Sequence, residues 1–117
     1  MAARIFINGR FLTQQTTGVQ SFARSVCAEL EGVAEFTILV PENGRIIHPE
    51  FEAHILRTGK LNGHLWEQVH LPLFLRKHPG SVLLNLCNTG PAFVQNQVVT
   101  IHDLAFIKNP AWFHVAF

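Results

Sequence analysis

The sequence is short of charge and has no basic cluster. Charged side chains make up 15% of its 117 residues, against about 25% in an average soluble domain, so a larger share of this chain must be buried. The formal net charge is +1, and the nine lysines and arginines are scattered along the chain. Because binding to a phosphate backbone requires a basic stripe, we expect no nucleic-acid partner.

Cysteine is scarce, and its pattern excludes a disulfide framework. Cys27 and Cys87 lie in unrelated contexts and form no Cys-x-x-Cys pair, so we expect two buried, reduced thiols. The histidines include no HExxH motif. His64 and His70, six residues apart on one predicted helix, would face different sides of it. The sequence therefore predicts no metal site.

Long apolar runs and the common nucleotide-binding fingerprints are also missing. The N-terminal sequence MAARIFINGR enters a strand-like run without the apolar stretch of a signal peptide or a membrane span. We predict a cytoplasmic protein and leave open that it rests on the inner face of a membrane. Gly9 and Gly18 do not form GxGxxG, and GxxxxGK(S/T) does not occur. We therefore expect no nicotinamide cofactor and no P-loop.

Short apolar runs alternate with segments of helical spacing. The predicted strands are residues 5–7, 36–40, 53–56, 82–86 and 98–101, and the third of them is the weakest. One predicted helix starts near Gly18, and the other covers residues 62–78 with a kink at Pro72. This alternation predicts a Rossmann-like, doubly wound α/β domain with right-handed crossovers and a mainly parallel sheet. No linker or repeat divides residues 1–117.

The apolar residues also predict which side of the first helix is buried, and their spacing predicts the second helix. The first helix should be capped by Thr16 or Thr17 and should end at Gly32. Its apolar face would consist of Val19, Phe22, Ala23, Val26, Cys27 and Leu30. The pattern on the second helix is Leu65, Trp66, Val69, Leu73 and Arg76.

Ligands of open parallel sheets bind at the carboxyl ends of the strands, and three predicted loops lie there. They are residues 8–18, residues 87–91 and the segment that begins at His102. Gly18 opens a helix, where a phosphate could approach the backbone N–H groups of Val19 and Gln20. The alternative is that Gly18 only permits a turn or close packing of the helix on the sheet.

His102 and Asp103 follow the predicted strand 98–101. At that position the imidazole could donate to an anionic or hydroxyl group of a ligand. Asp103 could orient His102, cap the next turn or hold a backbone N–H, and a structural role for the pair stays open. Trp66 and Glu67 share the second helix. A core position for Trp66 and a solvated one for Glu67 are the simpler alternatives.

Four segments in this order resemble the family-four glycosyltransferases. They are INGRFLTQQTTGVQSFARSVCAEL, LWEQVHLPLFL, LLNLCNTGP and TIHDLAF followed by PAWF. The resemblance implies a GT-B enzyme, with two Rossmann-like domains facing each other across a cleft. Such enzymes transfer a sugar from a nucleotide-sugar donor to a glycan or lipid-linked acceptor, with retention of configuration and no obligatory metal. The donor is a substrate, so no cofactor is implied.

The resemblance also assigns roles to individual residues. Gly18, together with Val19 and Gln20, would lie near the donor diphosphate, although the family often has arginine at the position of Gln20. His102 would be the catalytic histidine near the transferred sugar, where it could stabilise developing charge. Glu67, Asn88 and Asp103 match positions that are expected to shape the cleft.

The resemblance covers only part of the acceptor-side, N-terminal domain, because family members continue past PAWF into a helix and further strands that complete it. The donor-binding domain, with its EX7E-type site, has no counterpart in this sequence, so we expect the 117-residue chain alone to be inactive. The alternative is a non-enzymatic Rossmann-like module that binds a glycan or another subunit. We also expect an apolar surface that favours self-association, with contributions from Trp112, Phe113 and Phe117.

Overall fold

The computed structural model describes residues 4–14, 18–47 and 50–102. These residues form one five-stranded sheet in which every neighbouring pair is parallel. Its strands are β1 (Arg4–Asn8), β2 (Phe36–Val40), β3 (Ile55–Arg57), β4 (Ser81–Asn85) and β5 (Gln97–Val99). They lie in the order β3-β2-β1-β4-β5. The predicted Rossmann-like α/β fold with a parallel sheet is therefore confirmed.

Two α-helices, α1 (Gly18–Leu30) and α2 (Gly63–Arg76), cover opposite faces of this sheet. Successive side chains of a strand point to opposite faces, and those of β1 divide accordingly. Ile7 packs in one buried cluster with Cys27 of α1, whereas Phe6 packs in the other with Trp66 and Leu71 of α2. The central strands are buried on both sides, which explains their uninterrupted apolar sequences.

The predicted end of α1 is confirmed in its geometry. Gly32 has φ +83°, a left-handed conformation that glycine adopts without steric cost. The N–H of Ala34 donates to the carbonyl of Leu30 at 3.0 Å and closes the last turn. The predicted cap at Thr16 or Thr17 lies outside the described residues.

The pattern that predicted α2 coincides only in part with its buried face, because Trp66 is buried and three of its other members are exposed. Leu65, Val69 and Leu73 are 65%, 40% and 48% exposed. The buried residues of the helix are Trp66, Glu67 and Leu71. Two polar contacts fix which side of α2 faces the sheet. The indole N–H of Trp66 donates to the carbonyl of Thr58 at 2.7 Å, and Glu67 accepts a hydrogen bond from Asn8 at the edge of the sheet.

Two short elements and the proline of α2 complete the description. A 3-10 turn, Gly9–Thr13, directly follows β1, and a second such turn, Glu52–His54, precedes β3. Helix α2 continues past Pro72 to Arg76, so the proline does not end it. The kink at Pro72 stays a prediction. The bounds of β3, β4 and β5 differ from the predicted ones by one or two residues.

Candidate functional site at the carboxyl edge of the sheet

The strand order places a topological switch point between β1 and β4. The chain runs from β1 outward through β2 to β3 and then returns to β4 on the other side of β1. Ligands of open α/β sheets bind beside such a point, at the carboxyl ends of the strands. Asn8 ends β1 and Asn85 ends β4, and they are 5% and 0% exposed. Two buried amides thus stand where the fold favours a ligand.

These amides belong to a group that we call the switch-point cluster: Asn8, Arg10, Glu67, Asn85 and Thr89. The Nδ2 group of Asn8 donates to Glu67 Oε2 at 2.7 Å and to Asn85 Oδ1 at 2.9 Å. Asn85 Nδ2 donates to the carbonyl of Val98 at 3.2 Å. These hydrogen bonds join the ends of β1 and β4 to α2, although the three elements are far apart in the sequence.

Glu67 is the charged centre of the switch-point cluster and forms an ion pair with Arg10. The distance from Arg10 Nη1 to Glu67 Oε2 is 3.3 Å, and the Thr89 hydroxyl donates to the same oxygen at 3.2 Å. Burial of a charge is tolerated when it is paired and hydrogen-bonded in this way. The alternative of a solvated Glu67 does not apply, because its side chain is 1% exposed.

The second carboxylate oxygen of Glu67 is buried but receives no hydrogen bond from the described residues. The Nδ1 atom of His64 lies 3.7 Å from it, on a side chain that is 61% exposed. Glu67 also lines a cavity of about 30 Å³. The cavity walls are formed by Asn8, Arg10, Phe11, Gln14, Glu67, Leu86, Cys87 and Thr89.

The loop after β4 is fixed to α2 by Gln68, the neighbour of Glu67. Its Nε2 group donates to the carbonyl of Gly90 at 3.0 Å, and its Oε1 accepts from the N–H of Ala92 at 2.8 Å. The predicted loop 87–91 is thereby held beside the carboxylate of Glu67.

His102 is held in one orientation by three contacts. Its backbone N–H donates to Asn88 Oδ1 at 2.7 Å, and its Nε2 lies 2.7 Å from the carbonyl oxygen of Leu86. The edge of the ring meets Phe22 of α1, with the centroids 4.5 Å apart. A carbonyl oxygen only accepts, so Nε2 carries the proton, and Nδ1 of the neutral ring is an acceptor.

Asn88 and the first turn of α1 lie beside this histidine. Asn88 has φ 69°, a conformation that asparagine tolerates better than most residues. The thiol of Cys87 lies 3.8 Å from the carbonyl of Val19, and Gln20 Nε2 donates to Gln14 Oε1 at 3.0 Å. Apart from its chain neighbours and the backbone of its own helix, no described atom lies within 4 Å of a Cβ built on Gly18. The described residues therefore give no packing reason for that glycine.

The structure therefore brings most of the predicted site residues to one edge, in two groups. Gly18, Val19, Gln20, Asn88 and His102 lie around the start of α1, and Glu67 lies in the switch-point cluster. Asp103 is outside the described residues. Sequence analysis missed Asn8, Arg10, Asn85 and Thr89. An asparagine at the end of each of two buried apolar runs was the available signal.

Both thiols are free and hard to ionise. Cys27 is buried and Cys87 is half-buried. Desolvation by burial, the largest cause in both cases, raises the pKa of Cys27 to about 12 and that of Cys87 to about 11. Neither thiol is a thiolate nucleophile at neutral pH.

Two classes of site were sought in the described parts of the chain. Residues 4–14, 18–47 and 50–102 contain no group of three or more His, Cys, Asp or Glu side chains that could hold a metal ion. Within the same ranges, neither helix has the length and apolar character needed to cross a bilayer.

Comparison of the chain with protein-family models, curated proteins and solved structures returned no match. The fold class is thus established by the sheet and helices described above. The function is inferred from the residues at the carboxyl edge.

Proposed function

We propose that this chain is part of the acceptor-side, N-terminal Rossmann-like domain of a retaining GT-B glycosyltransferase. The whole enzyme would transfer a sugar from a nucleotide-sugar donor to a glycan or lipid-linked acceptor. A second domain across the cleft would bind the donor nucleotide. The proposal includes a cytoplasmic location, at or near the membrane face that carries lipid-linked acceptors.

The observation that supports this proposal most is the meeting of the glycosyltransferase-like segments at one sheet edge. Asn8 belongs to the first segment, Glu67 to the second and Asn85 to the third. Hydrogen bonds of 2.7 and 2.9 Å join these three side chains. A cleft enzyme needs polar groups held rigidly at this edge of its sheet.

In this proposal His102 contacts the transferred sugar. Its Nε2 is committed to the carbonyl of Leu86, so Nδ1 would meet the ligand. The neutral ring would accept from a sugar hydroxyl there, and the protonated ring would donate to developing negative charge. The contact with Phe22 fixes the ring, and such fixed placement is what a transition-state contact requires.

The start of α1 would face the donor diphosphate. The backbone N–H groups of Val19 and Gln20 lie at the positive end of the helix dipole. The open space around Gly18 would let a phosphate approach them. Asn88 would act indirectly, by positioning the backbone of His102. A role for Asp103 in shaping the cleft stays a prediction.

The test is activity of the longest reading frame that contains this chain. We expect it to transfer label from a nucleotide sugar, and we expect His102→Ala to lower turnover by about 10² to 10³-fold. The unfolding midpoint of the variant should change little, because His102 is exposed. His54→Ala is the matched control, since His54 lies at the opposite edge beside the starts of β1 and β2. It should retain turnover.

Two outcomes would contradict the proposal. A fully active His102→Ala enzyme would reduce this residue to a scaffold, and transfer by the 117-residue chain alone would overturn the two-domain mechanism.

The competing function is that of a non-enzymatic binding or subunit module. The exposed apolar stripe on α2, formed by Leu65, Val69 and Leu73, is the observation that favours it, since exposed apolar patches mark interaction surfaces. A natural stop directly after Phe117, together with no transfer, would support the module.

A further inference from the structure

The contacts within the protein leave one feature of Glu67 unexplained. Its Oε2 atom receives hydrogen bonds from Asn8, Arg10 and Thr89, whereas its equally buried Oε1 atom receives none from the described residues. A buried acceptor without a partner costs roughly 1–3 kcal/mol, and more when it is charged. A buried polar atom in this state requires an explanation, and a polar group bound from outside the chain is one.

We propose that Glu67, with the cavity beside it, binds one hydroxyl group of a neutral carbohydrate. The hydroxyl would donate to Glu67 Oε1 and accept from Gln14, whose side chain lines the same cavity. A hydroxyl has one donor and two acceptor positions, and it therefore matches walls of both kinds.

The size of the cavity limits what can enter. Its volume is about 30 Å³, and a cavity needs at least roughly 10–15 Å³ to hold one water molecule. A single hydroxyl fits, whereas a sugar ring does not. The ring would therefore stay outside the cavity, whose half-buried lining residues are Arg10, Gln14, Cys87 and Thr89.

The local charges favour a neutral group. An anion would meet the carboxylate of Glu67, which is 1% exposed and therefore poorly screened by solvent. A cation would meet the guanidinium of Arg10, whose Nη1 atom lies 3.3 Å from the same carboxylate. The charges of Glu67 and Arg10 compensate each other. A neutral hydroxyl can therefore form a hydrogen bond to a charged group without facing an uncompensated charge.

This inference rests on the proposed function only for the choice of a carbohydrate among neutral hydroxyl compounds. Binding by this domain and transfer by a longer protein are separate measurements. Binding without transfer would support the subsite and contradict the proposed enzymatic function. Transfer without binding would support the enzymatic function and contradict the subsite.

The experiment is an NMR titration of the ¹⁵N-labelled 117-residue chain with methyl α-glucopyranoside and methyl α-mannopyranoside. The sugars should reach about 100 mM, because a ligand held at one subsite binds in the millimolar range. We expect saturable shifts of the amide signals of Arg10, Thr89 and Gly90 with at least one glycoside. Sodium phosphate at equal concentration should leave these signals unshifted.

Two variants test the groups named in the proposal. Glu67→Gln would turn its carbonyl oxygen to the three donors and its amide group to the cavity, which removes the acceptor. Affinity should fall about tenfold or more, as expected for loss of a charge-assisted hydrogen bond. Gln14→Ala lies outside the ion pair and serves as a second variant if Glu67→Gln does not fold. Glu29→Gln, on the exposed side of α1, is the matched control and should bind as the wild type does.

Any of three results would overturn the inference. The first is a folded wild-type chain whose signals shift with neither glycoside. The second is phosphate shifting the same signals. The third is binding by Glu67→Gln, or by Gln14→Ala where Glu67→Gln is unfolded, with wild-type affinity.

Discussion

Asn8 connects the sheet to the candidate site through a single side chain. Its Nδ2 group serves Glu67 and Asn85, and its Oδ1 atom accepts from the N–H of Arg10 at 3.3 Å. An amide can do this because it carries both donors and an acceptor on one planar group. The residue thus fixes the end of β1, the start of the following turn and the orientation of a buried carboxylate.

Asn8→Ala should therefore destabilise the protein more than its size suggests. It removes one of the three donors to Glu67 Oε2, and it removes the donor to Asn85 Oδ1. The loss should cost about 1–3 kcal/mol of unfolding free energy. Urea denaturation followed by tryptophan fluorescence measures this loss. Asn96→Ala is the matched control because Asn96 is exposed; it should change stability by less than about 0.5 kcal/mol. Equal effects of the two substitutions would contradict the role given to Asn8.

Cys27 gives the folded chain a predictable response to alkaline pH. Burial raises its pKa from 9.0 to about 12, so above about pH 9 the unfolded chain loses a proton that the folded chain keeps. The unfolded state then binds fewer protons, and stability should fall as the pH rises from about 9 toward 12. The chain has no tyrosine, whose titration would otherwise overlap.

The measurement is urea denaturation under reducing conditions at a series of pH values from about 8 to about 11. This range includes the reference pKa of a thiol. Cys27→Ala should show a shallower decline than the wild type, although its stability below pH 8 will be lower because a buried side chain is shortened. Parallel declines in the two proteins would show that this thiol is not the cause.

At the scale of the elements, the sequence predicted the central strands better than the edges. The residues of β2 were predicted without error because its five residues are apolar or β-branched and the strand is covered on both faces. Strands β3 and β5 lie at the two edges and are partly exposed, so their sequences have no continuous apolar run to mark the ends. Helix α2 was predicted, but its pattern did not mark the buried side, because apolar residues surround the helix and only contact with the sheet decides which are buried.

Leu71 and Leu73 provide a matched test of the buried face of α2. Leu71 is fully buried against Phe6 and Leu83, whereas Leu73 is 48% exposed. Leu71→Ala should cost about 2–5 kcal/mol of unfolding free energy, and Leu73→Ala less than about 0.5 kcal/mol. The two substitutions remove the same atoms from the same helix, so the difference reports burial alone. A larger loss for Leu73→Ala would contradict this assignment of the buried face.

Two glycines at the carboxyl edge should respond in opposite ways to a methyl group. A Cβ on Gly9 would overlap the carbonyl oxygen of Leu39, a backbone atom that cannot move aside, while a Cβ on Gly18 meets no described atom within 4 Å. Gly9→Ala should be strongly destabilised or insoluble, as expected for forced overpacking. Gly18→Ala should fold normally, and thermal unfolding of both proteins distinguishes them. Normal stability of Gly9→Ala would show that the turn after β1 adapts.

At the scale of the whole molecule, the site depends on the order of the strands in the sheet, which cannot be predicted from individual residues. Asn8 and Asn85 are 77 positions apart, and nothing local indicates that β1 and β4 are neighbours. The return of the chain across β1 after β3 brings the two asparagines together. Glu67 was found from its sequence segment, but its burial and its ion pair with Arg10 follow only from that topology.

The last prediction concerns association of the whole chain. The apolar stripe of Leu65, Val69 and Leu73 lies on the outer side of α2, and the edge strand β5 adds Val98 and Val99, which are 52% and 37% exposed. Apolar surface of this kind favours association because burial of each Å² contributes about 25 cal/mol. We expect light scattering to report dimers or larger species as protein concentration rises. Replacing the three stripe residues with serine should shift the distribution toward monomer without loss of the fold, since none of them is buried. A clean monomer of the wild type at high concentration would contradict the prediction, and unchanged association of the triple variant would move the contact to another surface.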